Sequence, residues 1–138
     1  MDPLKRHDHW VTSVAFSPHG WHIVSESHDK TIRLWNTMTG QSVMDPLKDH
    51  CHWVTSVACY PTGNHIVSGS HDCTVRIWDA RAGQCVKDPL IGHNMGICSV
   101  AVPPNGRNIV SGSLDFIIRV WDALSGQSIM VPFKAHWI

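Results

Sequence analysis

Serine, histidine and aspartate occur together three times in this chain of 138 residues, in the same order and at the same spacing. These residue types can form a nucleophilic triad, in which histidine takes a proton from serine and aspartate orients the histidine. A hydrolase needs one triad, beside an oxyanion hole and a substrate pocket. Because each set recurs and includes a tryptophan that hydrolysis does not need, we predict a structural role and no enzyme activity. The sets are His7, Ser25, Asp29 and Trp35; His50, Ser68, Asp72 and Trp78; and His93, Ser111, Asp115 and Trp121.

The tryptophans of the three sets stand 43 residues apart, and each ends a similar phrase. Residues 31–36 read Thr-Ile-Arg-Leu-Trp-Asn, and the copies at 74–79 and 117–122 read Thr-Val-Arg-Ile-Trp-Asp and Ile-Ile-Arg-Val-Trp-Asp. A period of about 40 to 45 residues that ends in Trp-Asp indicates a β-propeller blade. The sequence therefore predicts three repeats and a truncated fourth, at 1–43, 44–86, 87–129 and 130–138.

Each repeat has the pattern of four short strands joined by turns. The first strand, Trp10–Phe16, is rich in β-forming residues and ends at a turn with proline and glycine. The second follows from His22, the third reaches Trp35, and a short fourth begins near Ser42. Adjacent apolar residues indicate sheets that are covered on both faces. We predict an all-β fold without helices, in which three four-stranded antiparallel blades form a partial propeller.

The repeats resemble the WD-repeat family of β-propellers over essentially the whole chain. In that family each blade carries a buried tetrad of His, Ser or Thr, Asp and Trp, which the three sets match residue by residue. The phrase Trp-Val-Thr-Ser-Val-Ala at 10–15 and 53–58 is similar to the C-terminal WD repeats of fungal NACHT-type incompatibility and immune receptors. The resemblance implies a non-catalytic interaction scaffold or a ligand-sensing module.

Two residues depart from the pattern of the other repeats. Asn36 replaces the aspartate that follows the second and third tryptophans, and Glu26 replaces the glycine found at Gly69 and Gly112. We expect these departures to affect local stability without changing the fold.

The copies differ most in the loop after the tetrad histidine and in the turn at the tetrad aspartate. In the WD-repeat family these positions resemble the narrow rim that contacts partners, and tryptophan is a frequent hot spot in interfaces. Trp10 and Trp53 could equally cap the first strand against a neighbouring blade. We predict that proteins or peptides bind at Asp8, His9, Trp10, His28, Lys30, His52, Trp53, His71, Asn94, Met95, Leu114 and Phe116.

Eleven histidines and five cysteines raise the question of a metal site. His9, His28, His52 and His71 are expected near one rim, but no spacing fixes a third zinc ligand, and the repetition accounts for their number. The cysteines lack a Cys-x-x-Cys pair and occupy positions where other repeats carry different residues. We predict reduced cysteines, no metal and no cofactor.

Charge and hydropathy narrow the classes of partner. Eleven basic residues offset eleven acidic ones without a concentrated basic stretch, which argues against nucleic acid. The N-terminus lacks the apolar segment of a signal peptide, and no stretch approaches the roughly 18 apolar residues of a membrane span. We expect a cytoplasmic protein with no membrane partner.

Three blades are fewer than the four to eight or so of known propellers. Two copies could close a six-bladed ring as a homodimer, or the chain could be part of a longer array that functions only when the ring is completed. Residues 1–5 repeat residues 44–48, and the fourth repeat stops early, which favours part of an array.

Overall fold

The computed structural model describes residues 3–129 and the backbone of residues 133–134. The predicted truncated repeat at 130–138 otherwise lies outside the described residues. The described chain forms twelve strands: β1 Val11–Phe16, β2 His22–Ser27, β3 Ile32–Asn36, β4 Val54–Cys59, β5 His65–Ser70, β6 Thr74–Asp79, β7 Gln84–Cys85, β8 Leu90–Ile91, β9 Ile97–Ala101, β10 Asn108–Ser113, β11 Ile117–Asp122 and β12 Phe133–Lys134. In these residues there is no helix that could span a membrane.

The strands form three antiparallel sheets, and each sheet is one blade. Blade 1 has the order β1-β2-β3, and blade 3 has the order β12-β11-β10-β9. Blade 2 has the order β4-β5-β6, with β7 and β8 both paired to β6. The predicted all-β partial propeller is confirmed.

The short fourth strand that the sequence predicts is interrupted in blades 1 and 2. In blade 1 it is reduced to two isolated bridges, from Trp35 to Ser42 and from Ile32 to Leu47. In blade 2 it is divided into β7 and β8. Pro46 and Pro89 lie within the two gaps. Proline cannot donate a backbone hydrogen bond, so it is confined to interruptions and edges of a sheet.

Two apolar clusters form the core, and each lies mainly between neighbouring blades. The junction of blades 1 and 2 buries Val24, Ile32, Leu34, Leu47, Val54, Val57, Ile66 and Trp78. The junction of blades 2 and 3 buries Val67, Val75, Ile77, Leu90, Ile97, Val100, Ile109 and Trp121. Equivalent positions of the repeat therefore build both junctions. Among the described residues, no further blade covers the outward face of blade 1 or of blade 3, and apolar side chains on both faces are exposed.

The departure at Asn36 has little structural effect. Its side-chain oxygen accepts hydrogen bonds from the backbone amides of Met38 at 2.8 Å and Thr39 at 3.0 Å. Asp79 and Asp122 accept the same pair of bonds in the other blades. Because an amide oxygen accepts these bonds as a carboxylate does, the turn keeps both hydrogen bonds at Asn36.

Candidate functional site

The four residues of each tetrad are joined in a linear chain of hydrogen bonds from Trp through Ser and His to Asp. In blade 2, His50 Nδ1 is 2.7 Å from Asp72 Oδ2 and His50 Nε2 is 2.6 Å from Ser68 Oγ. The indole nitrogen of Trp78 donates to the same serine oxygen at 2.8 Å. The sets in blades 1 and 3 have the same contacts. Trp therefore donates to Ser, Ser to His and His to Asp, which leaves no unpaired polar group in the chain of bonds.

The burial of the tetrads fits a structural role. Ser68 and Ser111 are fully buried and Ser25 is nearly so. Each serine oxygen already accepts the tryptophan N–H bond. A nucleophile must reach its substrate beside an oxyanion hole. The arrangement therefore joins the strands of each blade and does not present a serine to solvent.

The tetrad aspartates also hold the loops that begin the rim. Asp29 Oδ2 accepts the backbone amide of Asp8 at 3.0 Å, and Asp72 and Asp115 accept the amides of Cys51 and Asn94 at 3.1 Å. Burial alone would raise the pKa of each aspartate. Hydrogen bonds from the histidine, the backbone and, in blades 1 and 2, a threonine outweigh it, so each pKa is below its ordinary value. The ionised carboxylates thereby fix the rim to the blades.

Histidine and tryptophan side chains pack together on the rim of blade 1. The ring of His28 stacks on His9 with centroids 5.6 Å apart, and it packs against Trp10 at 5.5 Å. His9 meets Trp10 edge-on at 5.2 Å, and its Nδ1 accepts the Trp10 backbone amide at 2.8 Å. The backbone amide of His28 donates to the Trp10 carbonyl at 2.9 Å. These contacts fix the Trp10 side chain in place while 68% of its surface stays exposed.

Blade 2 repeats this arrangement and continues it across the junction. His52, Trp53 and His71 make the same three ring contacts within the blade. In addition, the ring of His28 in blade 1 lies parallel to the Trp53 indole, 4.3 Å away. The six side chains of His9, Trp10, His28, His52, Trp53 and His71 therefore form one continuous surface, which we call the aromatic ladder.

The ladder ends at blade 3, where the equivalent residues differ. Gly96 stands in the place of the tryptophan, and a Cβ atom there would lie 3.1 Å from the Cα and Cγ atoms of His71. The backbone contact from the Leu114 amide to the Gly96 carbonyl is retained at 2.9 Å. Met95, Leu114 and Phe116 give this end of the rim an apolar, exposed surface.

The structure thus places the twelve predicted partner-binding residues at one end of the three blades. His28 and His71 are half-buried in the ladder, and the others are exposed. Trp53 packs against the neighbouring blade, whereas the outer face of Trp10 is free, so the two interpretations of these tryptophans both have support. That the twelve residues bind a partner stays a prediction.

The surroundings of His28 on the rim change its pKa. Burial lowers the pKa of His28, and repulsion from His9, His71 and His52 lowers it further. Its Nδ1 atom is buried without a hydrogen-bond partner.

Within residues 3–129, no three His, Cys, Asp or Glu side chains are arranged to hold a metal ion. The five cysteines, Cys51, Cys59, Cys73, Cys85 and Cys98, are free thiols.

A second aromatic surface lies at the opposite end of blade 1, and the sequence did not point to it. Trp21 is 68% exposed and packs against His19 at 5.6 Å. It precedes β2, whereas Trp10 precedes β1, so the two tryptophans lie at opposite ends of β1. Trp21 has no tryptophan at the equivalent position in the other repeats, where Asn64 and Arg107 stand. That difference between copies was the available signal.

The three repeats also match a known protein family. The family model described as WD domain, G-beta repeat matches residues 2–36, 41–79 and 83–122. The chain belongs to the WD-repeat family. Its blades and tetrads are those that the resemblance implied.

Segments of this WD-repeat chain are similar to curated proteins. It is 58% identical to the Lissencephaly-1 homolog 1 of Paramecium tetraurelia over 33 residues, which are 24% of this chain and 8% of that protein. It is 52% identical to the Notchless protein homolog of Arabidopsis thaliana over 44 residues, which are 30% of this chain and 9% of that protein. The chain therefore spans less than a tenth of the length of these relatives.

A solved structure has the same fold. The structure of U3-55K matches with a TM-score of 0.89 and 21% sequence identity, and the match covers 96% of this chain and 42% of that chain. Neither this structure nor the two relatives is described as a fungal NACHT-type receptor. The WD-repeat family is thus shown, and the finer resemblance is not.

Proposed function

We propose that this chain is a non-catalytic protein-interaction module that binds proteins or peptides through its rim. The aromatic ladder is the observation that carries the proposal. It presents Trp10 and Trp53 to solvent at one end of the blades, and both are held by contacts to histidine rings. Tryptophan is enriched among the residues that contribute most to binding.

The ladder is organised before a partner arrives. His28 N donates to the Trp10 carbonyl and His71 N donates to the Trp53 carbonyl, both at 2.9 Å. Because these bonds and ring contacts already restrict both tryptophan loops, a partner would lose little entropy in ordering them. The indole and imidazole rings of the ladder form a largely apolar surface without a cluster of Lys or Arg, which suits an extended peptide with aliphatic or aromatic side chains better than a phosphate backbone.

A random-peptide display library selected on the 138-residue chain tests this proposal. Calorimetry would then measure the affinity of the enriched peptides for the native chain and for Trp10→Ala with Trp53→Ala. We expect the double variant to lose at least tenfold in affinity, since hot-spot tryptophans contribute about 2 kcal/mol or more each.

Trp21→Ala is the matched control, because Trp21 is as exposed as Trp10 but lies at the other end of blade 1. It should bind the enriched peptides like the native chain. Peptides that lose affinity only in Trp21→Ala would move the binding surface to that end. A library that yields no peptide sensitive to either change would contradict rim binding.

Self-association is a second candidate role, supported by the exposed outward faces of blades 1 and 3. In this role the chain is a structural segment that functions when copies complete a ring, in the simplest case a homodimer with six blades. Light scattering on the 138-residue chain tests it, because a closed dimer has twice the mass of 15.4 kDa. A monomer at every concentration would contradict this role and leave rim binding intact.

The wider setting of the module is part of the proposal. The phrase shared by residues 10–15 and 53–58 supports a ligand-sensing propeller of the kind found in fungal NACHT-type receptors. The balanced charge of the chain supports partners other than nucleic acid. The five free cysteines, which form no Cys-x-x-Cys pair, support a reducing, cytoplasmic location without a membrane partner. Fractionation of cells that express a tagged chain would test the location.

A further inference from the structure

The outward face of blade 1 has the composition of a blade junction. Val54 and Ile97 begin β4 and β9 and are 0% exposed, because each packs against the preceding blade. Val11 holds the same place in β1 and is 49% exposed. Likewise, Val14 is 64% exposed, whereas its equivalents Val57 and Val100 are buried. This face, which we call the blade-1 face, consists of Val11, Val14, Phe16 and Ile23.

The outward face of blade 3 supplies the other half of such a junction. Ile32 and Val75 pack against the following blade and are 0% exposed, whereas their equivalent Ile118 is 38% exposed. Val110 and Val120 correspond to Val24 and Leu34 of blade 1 and are only half-buried. The blade-3 face consists of Val110, Ile118 and Val120.

Polar groups on the two faces are complementary as well. At the junction of blades 2 and 3, the backbone amide of Val100 donates to the Ser56 side chain at 3.1 Å. In the repeat, Ser99 corresponds to Ser56 and Val14 corresponds to Val100. Both are exposed. Contact between the blade-3 face and the blade-1 face would therefore allow the same bond between Ser99 and the Val14 amide.

A glycine leaves space on the blade-3 face. Side chains of blade 3 fill the space beside Gly69 in blade 2, since a Cβ atom there would lie 2.4 Å from Ile97 Cγ2 and 3.0 Å from Val100 Cγ1. Gly112 is the equivalent residue in blade 3, and nothing lies within 4 Å of its Cβ position. The equivalents of Ile97 and Val100 in the next junction would be Val11 and Val14.

The rim continues the same relationship. His28 covers the indole of Trp53 across the junction of blades 1 and 2. The equivalent of His28 in blade 3 is Leu114, which is exposed, and the equivalent of Trp53 in blade 1 is Trp10, whose outer face is free. An apolar side chain is thus available to cover Trp10 where the imidazole covers Trp53.

We infer that the blade-3 face of one copy docks on the blade-1 face of a second copy, head to tail, and that two copies close a six-bladed ring. This inference rests on the self-association proposed above and assigns the residues that perform it. Each copy contributes one face to each of two identical junctions. Six blades lie within the known range of about four to eight, whereas three copies would give nine.

Two single variants test the assignment. Val14→Arg places a charge on the blade-1 face and Ile118→Arg places one on the blade-3 face. Because each copy supplies both faces, either variant alone disables both junctions and should be monomeric in sedimentation analysis. Both side chains are exposed in a single copy, so circular dichroism should show native folding. Met38→Glu, at a turn where the side chain is 81% exposed, is the control that should remain dimeric.

Mixing the two variants separates this arrangement from others. An equal mixture retains one junction without a substitution, formed by the blade-3 face of the Val14→Arg copy and the blade-1 face of the Ile118→Arg copy. A one-to-one complex should therefore reappear. A dimer in which like faces meet would not be restored by mixing.

Three results would overturn the inference. A native chain that is monomeric up to its solubility limit would remove self-association altogether. A native dimer that persists in both single variants would show association through other surfaces. The third result is a native dimer that is lost in both single variants and does not reappear in their mixture at the highest soluble concentration. It would contradict the head-to-tail assignment but not self-association.

Discussion

The ring of His28 lies parallel to the indole of Trp53 across the junction of two blades, with centroids 4.3 Å apart and an angle of 3° between planes. A rim side chain is therefore also part of an interblade contact. Trp10 has no such partner on its outer face, although it makes the same contacts within its blade. The two tryptophans differ in how much of their role is packing, and mutation can measure that difference.

Trp53→Ala should destabilise the chain, while Trp10→Ala should not. Loss of the stacked indole removes apolar contacts between blades, which we expect to lower the free energy of unfolding by about 1 to 2 kcal/mol, less than for a fully buried tryptophan. In a single copy, where Trp10 is largely exposed, Trp10→Ala should change it by less than about 0.5 kcal/mol, as at most surface positions. Urea unfolding followed by circular dichroism measures both. Equal effects of the two substitutions would mean that the stacking of His28 on Trp53 does not contribute to stability.

Removal of one tetrad hydroxyl should have a larger effect. Ser68→Ala leaves the Trp78 indole N–H and His50 Nε2 buried without a partner. Since an unsatisfied buried polar group costs about 1 to 3 kcal/mol, we expect a loss of about 2 to 4 kcal/mol in the free energy of unfolding. The exposed Ser125→Ala serves as the control in the same urea titration. A loss below about 1 kcal/mol would show that water replaces the hydroxyl.

The lowered pKa values of the tetrad aspartates predict that the free energy of unfolding falls in acid. Hydrogen bonds hold the pKa of Asp72 below its ordinary value although burial opposes them. Because the folded pKa is below the unfolded one, this contribution is fully present above the ordinary carboxyl pKa of about 4 and is lost as the pH falls further. Urea unfolding between about pH 5 and pH 2 should show the decline. The slope should be smaller in Asp72→Asn, and an unchanged slope would assign the decline to other carboxylates.

The contribution of Glu26 to stability should change with pH in the direction opposite to that of the tetrad aspartates. Its carboxylate is fully buried, and both oxygens contact only the Thr12 hydroxyl among their described partners. Burial raises the pKa of Glu26 to about 7, with a smaller contribution from Asp29, while the Thr12 bond opposes the rise. Because the folded pKa exceeds the unfolded value of about 4.5, stability is highest below that value and decreases as the pH rises to about 7.

Glu26→Gln isolates this effect, since the amide keeps the size and cannot ionise. The difference in free energy of unfolding between Glu26→Gln and the native chain should grow from pH 5 to pH 8 and then level off. Urea titrations at each pH measure it. A difference that is constant with pH would mean that Glu26 is ionised in the folded chain throughout this range.

Most of the fold can be predicted from the sequence, because each blade is a local unit and each position of the repeat occurs three times. The tetrads, the strand order and the exposed outward faces all follow from comparing copies. The contact between His28 and Trp53 could not be predicted, because it depends on how two blades meet. Nor could the buried state of Glu26, which the sequence showed only as a departure from Gly69 and Gly112.

The turn at each tetrad aspartate was predicted from the sequence, but the left-handed conformation of the residue that follows the aspartate was not, and it yields the last prediction. Lys30, Cys73 and Phe116 have φ angles of 73°, 72° and 67°, a left-handed conformation that favours glycine. The Cys73 amide donates to the Ser70 carbonyl at 3.2 Å, and its thiol makes one weak contact, to the His71 carbonyl at 3.8 Å. Little is therefore lost if the side chain is removed.

Cys73→Gly should raise the free energy of unfolding by about 0.5 to 1 kcal/mol, because relief of the strain of about 1 to 2 kcal/mol exceeds the added entropy of glycine in the unfolded chain. Cys73→Ala is the matched control, since it removes the thiol and keeps the Cβ atom that causes the strain. It should leave stability unchanged within about 0.5 kcal/mol. If urea unfolding shows the same gain in both variants, the thiol and not the backbone conformation is the source of the instability.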